Sequence, residues 1–223
     1  MFNLKKKNTA PIINETDCFG DKLSFEAMES FNLLRTNINL SFSDEKKCHI
    51  IGITSPIPGA GKSLVSSNLS YSIAKSNKKV LLIDCDLRLP TINKKIGLNL
   101  KPGLTNALVE KVNYKDILQT PNDNLDVLTA GDIPPNPSEL LGSTKFSSLI
   151  KELENEYDYI VLDLTPVNIV ADALNLVQII DGFVLVVRKD HDNKVALNEA
   201  LRQLNLAKAK IVGIVFNSGK ETN

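Results

Sequence analysis

The sequence predicts an α/β protein: a mostly parallel sheet flanked by helices on both faces, with an N-terminal helical extension. Short apolar runs rich in β-branched residues alternate with stretches of helical spacing along most of the chain. The run Val80-Leu81-Leu82-Ile83 is apolar at every position, as a strand buried on both faces requires. A Gly/Pro loop, Ser55 to Gly61, joins a strand to a helix, and ligands of such sheets bind at the C-terminal ends of the strands.

Residues 1 to 23 mix Lys, Asn, Pro and acids without periodicity and are expected to form a flexible arm, or a segment that orders only against a neighbour, ahead of one domain over 24–223. From Ser24 the apolar residues Phe25, Met28, Phe31, Leu34 and Ile38 recur every three or four positions, which predicts a helix to about Leu40. Strands are predicted at Ile50 to Thr54, Val80 to Asp84, Leu125 to Thr129, Tyr159 to Asp163, Phe183 to Val187 and Ile211 to Phe216. Helical spacing marks Ser63 to Lys75, Ser143 to Glu154 and Asn193 to Ala207. Gly131 to Ser138 contains three prolines that cannot join a central ladder, so it reads as a loop with Ser138 as a helix N-cap.

Composition narrows the functional classes. The chain of 223 residues is 43% apolar with 11 Gly, an ordinary globular make-up. Lys plus Arg and Asp plus Glu each number 26, and the resulting zero net charge argues against nucleic acid as the main partner. No apolar run approaches the ~18 residues of a membrane-spanning helix. Lys5, Lys6 and Lys7 are followed by no apolar segment, so the N-terminus does not read as a secretory signal and a cytoplasmic address is expected. Cys18, Cys48 and Cys85 are widely spaced, without a Cys-x-x-Cys pair, and read as reduced structural thiols.

The chemistry concentrates at three strand ends. After Ile50 to Thr54, the loop closes with Pro58-Gly59-Ala60-Gly61-Lys62-Ser63 and opens a helix, the context of a phosphate-binding P-loop. Gly59 and Gly61 leave room for backbone amides to curl round a phosphate; Lys62 would reach the β and γ phosphates and Ser63 would offer its hydroxyl to Mg²⁺. Asp84 and Asp86 follow four apolar residues, and period-two alternation would send both to one side, about 6 to 7 Å apart between Cα atoms. At an effective dielectric of ~20 two such charges repel by on the order of 2 kcal/mol, which a cation would relieve. Asp163 closes the strand Tyr159 to Leu162 and is placed to join the same ion.

Together Pro58 to Ser63, Asp84-Cys85-Asp86-Leu87-Arg88 and Asp163-Leu164-Thr165-Pro166 resemble the Walker A, Walker A′ and Walker B motifs of bacterial tyrosine kinases, cytosolic enzymes of capsule and exopolysaccharide synthesis. Glu29 to Ile38 and Ile133 to Leu141 also look like that family, and the resemblance covers roughly residues 25 to 217. It implies a P-loop NTPase fold, ATP and Mg²⁺ as cofactors, and protein tyrosine as substrate. Pro58, Gly59, Ala60, Gly61, Lys62, Ser63 and Leu64 would hold the nucleotide, with Asn217 reading adenine. Ser63, Asp84 and Asp163 would serve the metal, and Asp86, beside Lys62 and Asp84, would accept the tyrosine proton. The same resemblance implies a membrane polysaccharide co-polymerase whose cytosolic tail activates the kinase and recruits it to the inner face of the membrane.

Several positions depart from the family pattern. The helix motif Glu-x-x-Arg-x-x-Arg, which packs subunits into a ring, survives here only as Glu29 and Arg35, with Asn32 between them. The usual C-terminal tyrosine cluster has no counterpart in Ser218 to Asn223; of Tyr71, Tyr114, Tyr157 and Tyr159, Tyr114 between polar neighbours is the expected exposed phosphoacceptor. Leu164 replaces a small polar residue, and Leu89 replaces a basic one. Two alternatives stay open: a partitioning-type P-loop ATPase, whose signature lysine is here Ile57, and a nucleotide-binding scaffold without transferase activity.

Overall fold

The computed structural model describes residues 18–42, 46–110, 112–189 and 194–218, so the first 17 positions of the expected arm lie outside the described residues, as does Asn193. The strands are β1 (His49–Thr54), β2 (Val80–Asp84), β3 (Gln119–Asn122), β4 (Leu125–Leu128), β5 (Tyr159–Asp163), β6 (Gly182–Arg188) and β7 (Ile211–Asn217). They form one sheet in the order β3-β4-β2-β5-β1-β6-β7. All neighbours are parallel except β3, which runs antiparallel to β4. The six strands read from apolar runs recur within one residue at each end. Sequence reading missed β3, a polar Gln-Thr-Pro-Asn segment at the sheet margin, where a proline costs no ladder hydrogen bond.

Period-two alternation sorts the strand side chains into two apolar layers. Ile50, Leu81, Ile83, Ile160, Leu162, Phe183 and Leu185 face one side. There they meet α4 (Leu104–Val109), α6 (Thr144–Leu153), α7 (Asp172–Asn175) and α8 (Lys194–Leu206). Ile51, Ile53, Leu82, Val161 and Val184 face the other side, under α1 (Phe25–Ser41), α2 (Lys62–Ala74) and α3 (Ile92–Ile96). Ser24 caps α1 by accepting from the Ala27 amide, and Ser143 caps α6 by accepting from the Phe146 amide.

α2 is buried along most of its length although five of its residues are serines. Ser66, Ser67 and Ser70 donate back to the carbonyls of Lys62, Ser63 and Ser66, so the polar side chains are satisfied inside the helix that carries them.

Two local expectations are corrected, and the inner end of the arm is found ordered against a neighbouring helix. Ser138 is not an N-cap: α5 (Pro137–Leu141) starts one residue earlier, with Pro137 at the first position, where its missing N–H is harmless. The alternation linking Asp84 to Asp86 stops at Asp84, because the Asp86 amide turns back to donate to Asp84 Oδ1 at 3.1 Å. Finally, the arm is anchored at its inner end. The Gly20 amide donates to Asn68 Oδ1 at 3.0 Å, Asn68 Nδ2 donates to the Cys18 carbonyl at 2.9 Å, and the Phe19 ring packs edge-on against Tyr71. One α2 side chain thus holds both peptide groups of a passing segment, something no local pattern announces.

Candidate active site

β1, β5 and β2 lie side by side, and their C-terminal ends bring the three motifs together. β1 feeds the loop that opens α2. Gly61 precedes that helix at φ +97°, a left-handed conformation, and no side chain caps the helix start. A Cβ on Gly61 would fall 2.3 Å from Asn217 Nδ2, while Gly59, at φ +79°, faces open space. The loop therefore presents uncapped amides at a helix N-terminus, the physical basis of an anion site. Pro58 to Gly61 precede the helix; Lys62, Ser63 and Leu64 form its first turn. Asn217, at the end of β7, donates through Nδ2 to the Ala60 carbonyl at 3.0 Å and so braces the loop from the side.

Asp84 and Asp163 are register partners on adjacent strands and both are fully buried. Asp84 accepts from the Asp86 and Ile92 amides, the second at the start of α3. Asp163 accepts from Ser63 Oγ at 2.6 Å and Ser66 Oγ at 2.8 Å. Burial, reinforced by the neighbouring Asp163 charge, holds the Asp84 carboxyl well above the usual carboxylate range. Burial also lifts Asp163, to about 6, against the opposing pull of Lys62 and the two serine hydroxyls. Asp86 sits just beyond, only 8% exposed, with Oδ2 3.9 Å from Lys62 Nζ and Oδ1 accepting from the Leu89 amide at 3.1 Å.

Three carboxyls face one lysine, so ionising all of them would leave an excess of buried negative charge, which a hard cation with oxygen ligands offsets. Among the described residues, no three His, Cys, Asp or Glu side chains are grouped so as to cage a metal. A magnesium ion would therefore draw on a serine hydroxyl, water and phosphate oxygens as well as carboxylate, its ordinary habit. Thr165 Oγ1 is buried two positions beyond Asp163 with no hydrogen-bond partner. The donor set, the uncapped helix start and the open space at Gly59 all suit a magnesium nucleotide.

Sequence reading missed several participants. Ser66 stands one turn beyond Ser63 on the same helix face, so its i,i+3 spacing was the available signal. Thr91 donates to Ser63 Oγ at 2.7 Å from a segment with no motif. Arg88 Nε donates to Asp172 Oδ2 at 3.0 Å, its Nη2 donates to Ser138 Oγ at 3.0 Å, and the Ser138 hydroxyl donates to Asp172.

Tyr114 is corrected as an exposed acceptor. It is 7% exposed, in a helical turn capped by Asn113, with its ring in the core beside Leu108 and Leu149. Its hydroxyl donates to carboxylates of Glu152 and Glu156, and burial with these bonds pushes the phenol up to about 12. Away from the site, Glu29 is exposed and accepts from Asn32 Nδ2. Arg35 turns inward to donate to the carbonyl and hydroxyl of Ser72 on α2.

The chain is similar to known proteins over most of its length. The family model described as an AAA domain matches residues 48–210. Tyrosine-protein kinase YwqD of Bacillus subtilis is 39% identical over 193 residues, covering 86% of this chain and 81% of the relative. The crystal structure of the chimerical protein CapA2B2 superposes with a TM-score of 0.84 at 34% identity, over 92% of this chain and 90% of that one. The kinase domain of the Escherichia coli tyrosine kinase ETK superposes at 0.81 with 30% identity, over 88% and 78%.

Proposed function

This chain belongs to the bacterial tyrosine-protein kinases of capsule and exopolysaccharide synthesis, and we propose that it transfers the γ-phosphoryl group of Mg-ATP to protein tyrosine with Asp86 as proton acceptor. The observation that carries the division of roles is the convergence of Lys62, Ser63, Asp84, Asp86 and Asp163 at the ends of three adjacent strands.

In this reading the first-turn amides of α2 and the Lys62 ammonium bind the phosphates. Ser63 gives its hydroxyl hydrogen to Asp163 and keeps a lone pair for the cation, so Asp163 acts by orienting Ser63. Asp84 would lend charge to the same ion from a fixed position, since two backbone amides hold its oxygens. Magnesium bound there would neutralise charge on the phosphate oxygens as the transition state develops. As the tyrosine oxygen bonds to γ-phosphorus, the bond from γ-phosphorus to the bridging oxygen breaks and ADP leaves, while the tyrosine proton passes to Asp86, whose other oxygen is held by the Leu89 amide. Asn217 braces the loop and, by the family resemblance, reads adenine. The cytosolic tail of a polysaccharide co-polymerase is the activating partner in the same reading, which places the enzyme on the cytoplasmic face of the membrane. Ring assembly through the Glu29–Arg35 face also belongs to the proposal, weakened by Asn32 in the middle position of the motif and by the engagement of Arg35 with Ser72. Among the described residues no helix is long and apolar enough to cross a membrane.

The test is a kinase reaction with purified protein, Mg-ATP and that tail, read as phosphotyrosine by mass spectrometry. Wild type should yield phosphotyrosine, and Asp86→Asn should lose it while still binding a non-hydrolysable ATP analogue. Undiminished phosphotyrosine in Asp86→Asn would remove Asp86 from its role. Normal nucleotide binding without phosphotyrosine in the wild type would identify a scaffold.

A further inference from the structure

The surface through which a tyrosine must approach Asp86 has a chemical character of its own. The Leu89 amide donates to the Asp86 carboxylate at 3.1 Å, so the backbone of Leu89 is held beside the proton acceptor, and Leu89 is 72% exposed. The bonds joining Arg88, Asp172 and Ser138 tie the loop at 85–91 to the first turns of α5 and α7, the helices that directly follow the loops at 131–136 and 164–171. Each of the two further loops also carries a large exposed apolar side chain, Ile133 at 65% and Ile169 at 58%. Charge on these loops is internally engaged. Asp86 faces Lys62, Arg88 is paired with Asp172, and Asp132 is paired with Lys101 and bonded to Asn106. The ties fix the loop at 85–91 against the helix starts where the other two loops end, before any partner arrives, which lowers the ordering cost of binding.

From this arrangement we infer that the rim formed by Leu89, Ile133 and Ile169 is the docking surface for the acceptor polypeptide, selecting tyrosines flanked by apolar residues. The inference rests on the kinase reading above and adds to it the substrate class. An apolar neighbour of the tyrosine gains by leaving water against these side chains. A charged neighbour would be desolvated against them, and the loop charges it could meet already have partners. Leu89 stands in the position where the family pattern has a basic residue, so the preference belongs to this chain's own sequence.

The experiment uses three synthetic peptides sharing one tyrosine, flanked by leucines, by glutamates or by lysines. Affinity is measured calorimetrically with the full chain saturated by a non-hydrolysable ATP analogue, and kcat/KM is measured with Mg-ATP. The leucine-flanked peptide should bind about tenfold more tightly than either charged one and show a similar advantage in kcat/KM, carried by KM. Leu89→Glu should erase the leucine preference and bring the lysine-flanked peptide up instead. Ile169→Glu, on a different loop, should weaken the same preference. Equal affinities in the wild type, or an unchanged order in both variants, would overturn the docking surface. Peptide binding in the expected order without phosphotyrosine would support the surface and count against the kinase reading alone.

Discussion

Replacing Asp163 with asparagine should stabilise the protein freed of metal and nucleotide, while weakening its hold on Mg-nucleotide. Burial raises the Asp163 carboxyl from 3.8 to about 6. An acid raised in the folded state destabilises the fold when it ionises: the cost is full above the folded value, declines as pH falls through it, and is gone below the unfolded value. That difference corresponds to about 3 kcal/mol at pH 8 and about half as much at pH 5. Asparagine removes the charge with little change of shape. Its amide oxygen accepts from Ser63 Oγ, and its NH₂ donates to Ser66 Oγ. Ser66 now divides one hydroxyl hydrogen between Asp163 and the Lys62 carbonyl, so the exchange leaves that hydrogen to Lys62 alone. In urea titrations with EDTA the variant should gain about 3 kcal/mol at pH 8, or about 6 to 12 °C in Tm. Calorimetry with Mg²⁺ and an ATP analogue should show the accompanying loss of affinity. A variant no more stable than wild type at pH 8, or one with the same advantage at pH 5 as at pH 8, would refute the reasoning.

Asn68→Ala removes two bonds to the backbone of residues 18 and 20 and should cost about 1 to 3 kcal/mol in urea denaturation. Hydrogen exchange at the Gly20 amide should accelerate in that variant far more than exchange at Leu82. Tyr114→Phe should destabilise the protein by about 1 to 3 kcal/mol, because Glu152 and Glu156 lose their phenolic donor. After incubation with Mg-ATP, peptide mapping of the wild type should find no phosphate on Tyr114; phosphate there would contradict its burial.

The sheet was legible because runs such as Val80 to Ile83 and Tyr159 to Leu162 announce strands covered on both faces, and their closing acids announce the site. The loop from Pro58 to Ser63 carried both its backbone demand and its chemistry in one stretch. What escaped was what depends on distant partners. Nothing local to Thr91 indicates Ser63, and Arg88, Ser138 and Asp172 meet only once the sheet has brought their loops together. Tyr114 was misjudged because Asn113 and Lys115 are polar, whereas a short helical turn rotates its ring inward between α4 and α6. The order at the inner end of the arm likewise depends on a distant partner, Asn68, about fifty residues away.

The place of β5 between β1 and β2 bears on how the molecule is made. A ribosome releases the two outer strands of this trio first and delivers the wedge that separates them only after the chain has grown from Asp84 to Asp163. At roughly 5 to 20 residues per second that interval is on the order of 4 to 16 s. The nascent chain meanwhile lacks the strand on which β1 and β2 both pair, so ligand capture by a nascent chain would mark the moment the centre of the sheet closes.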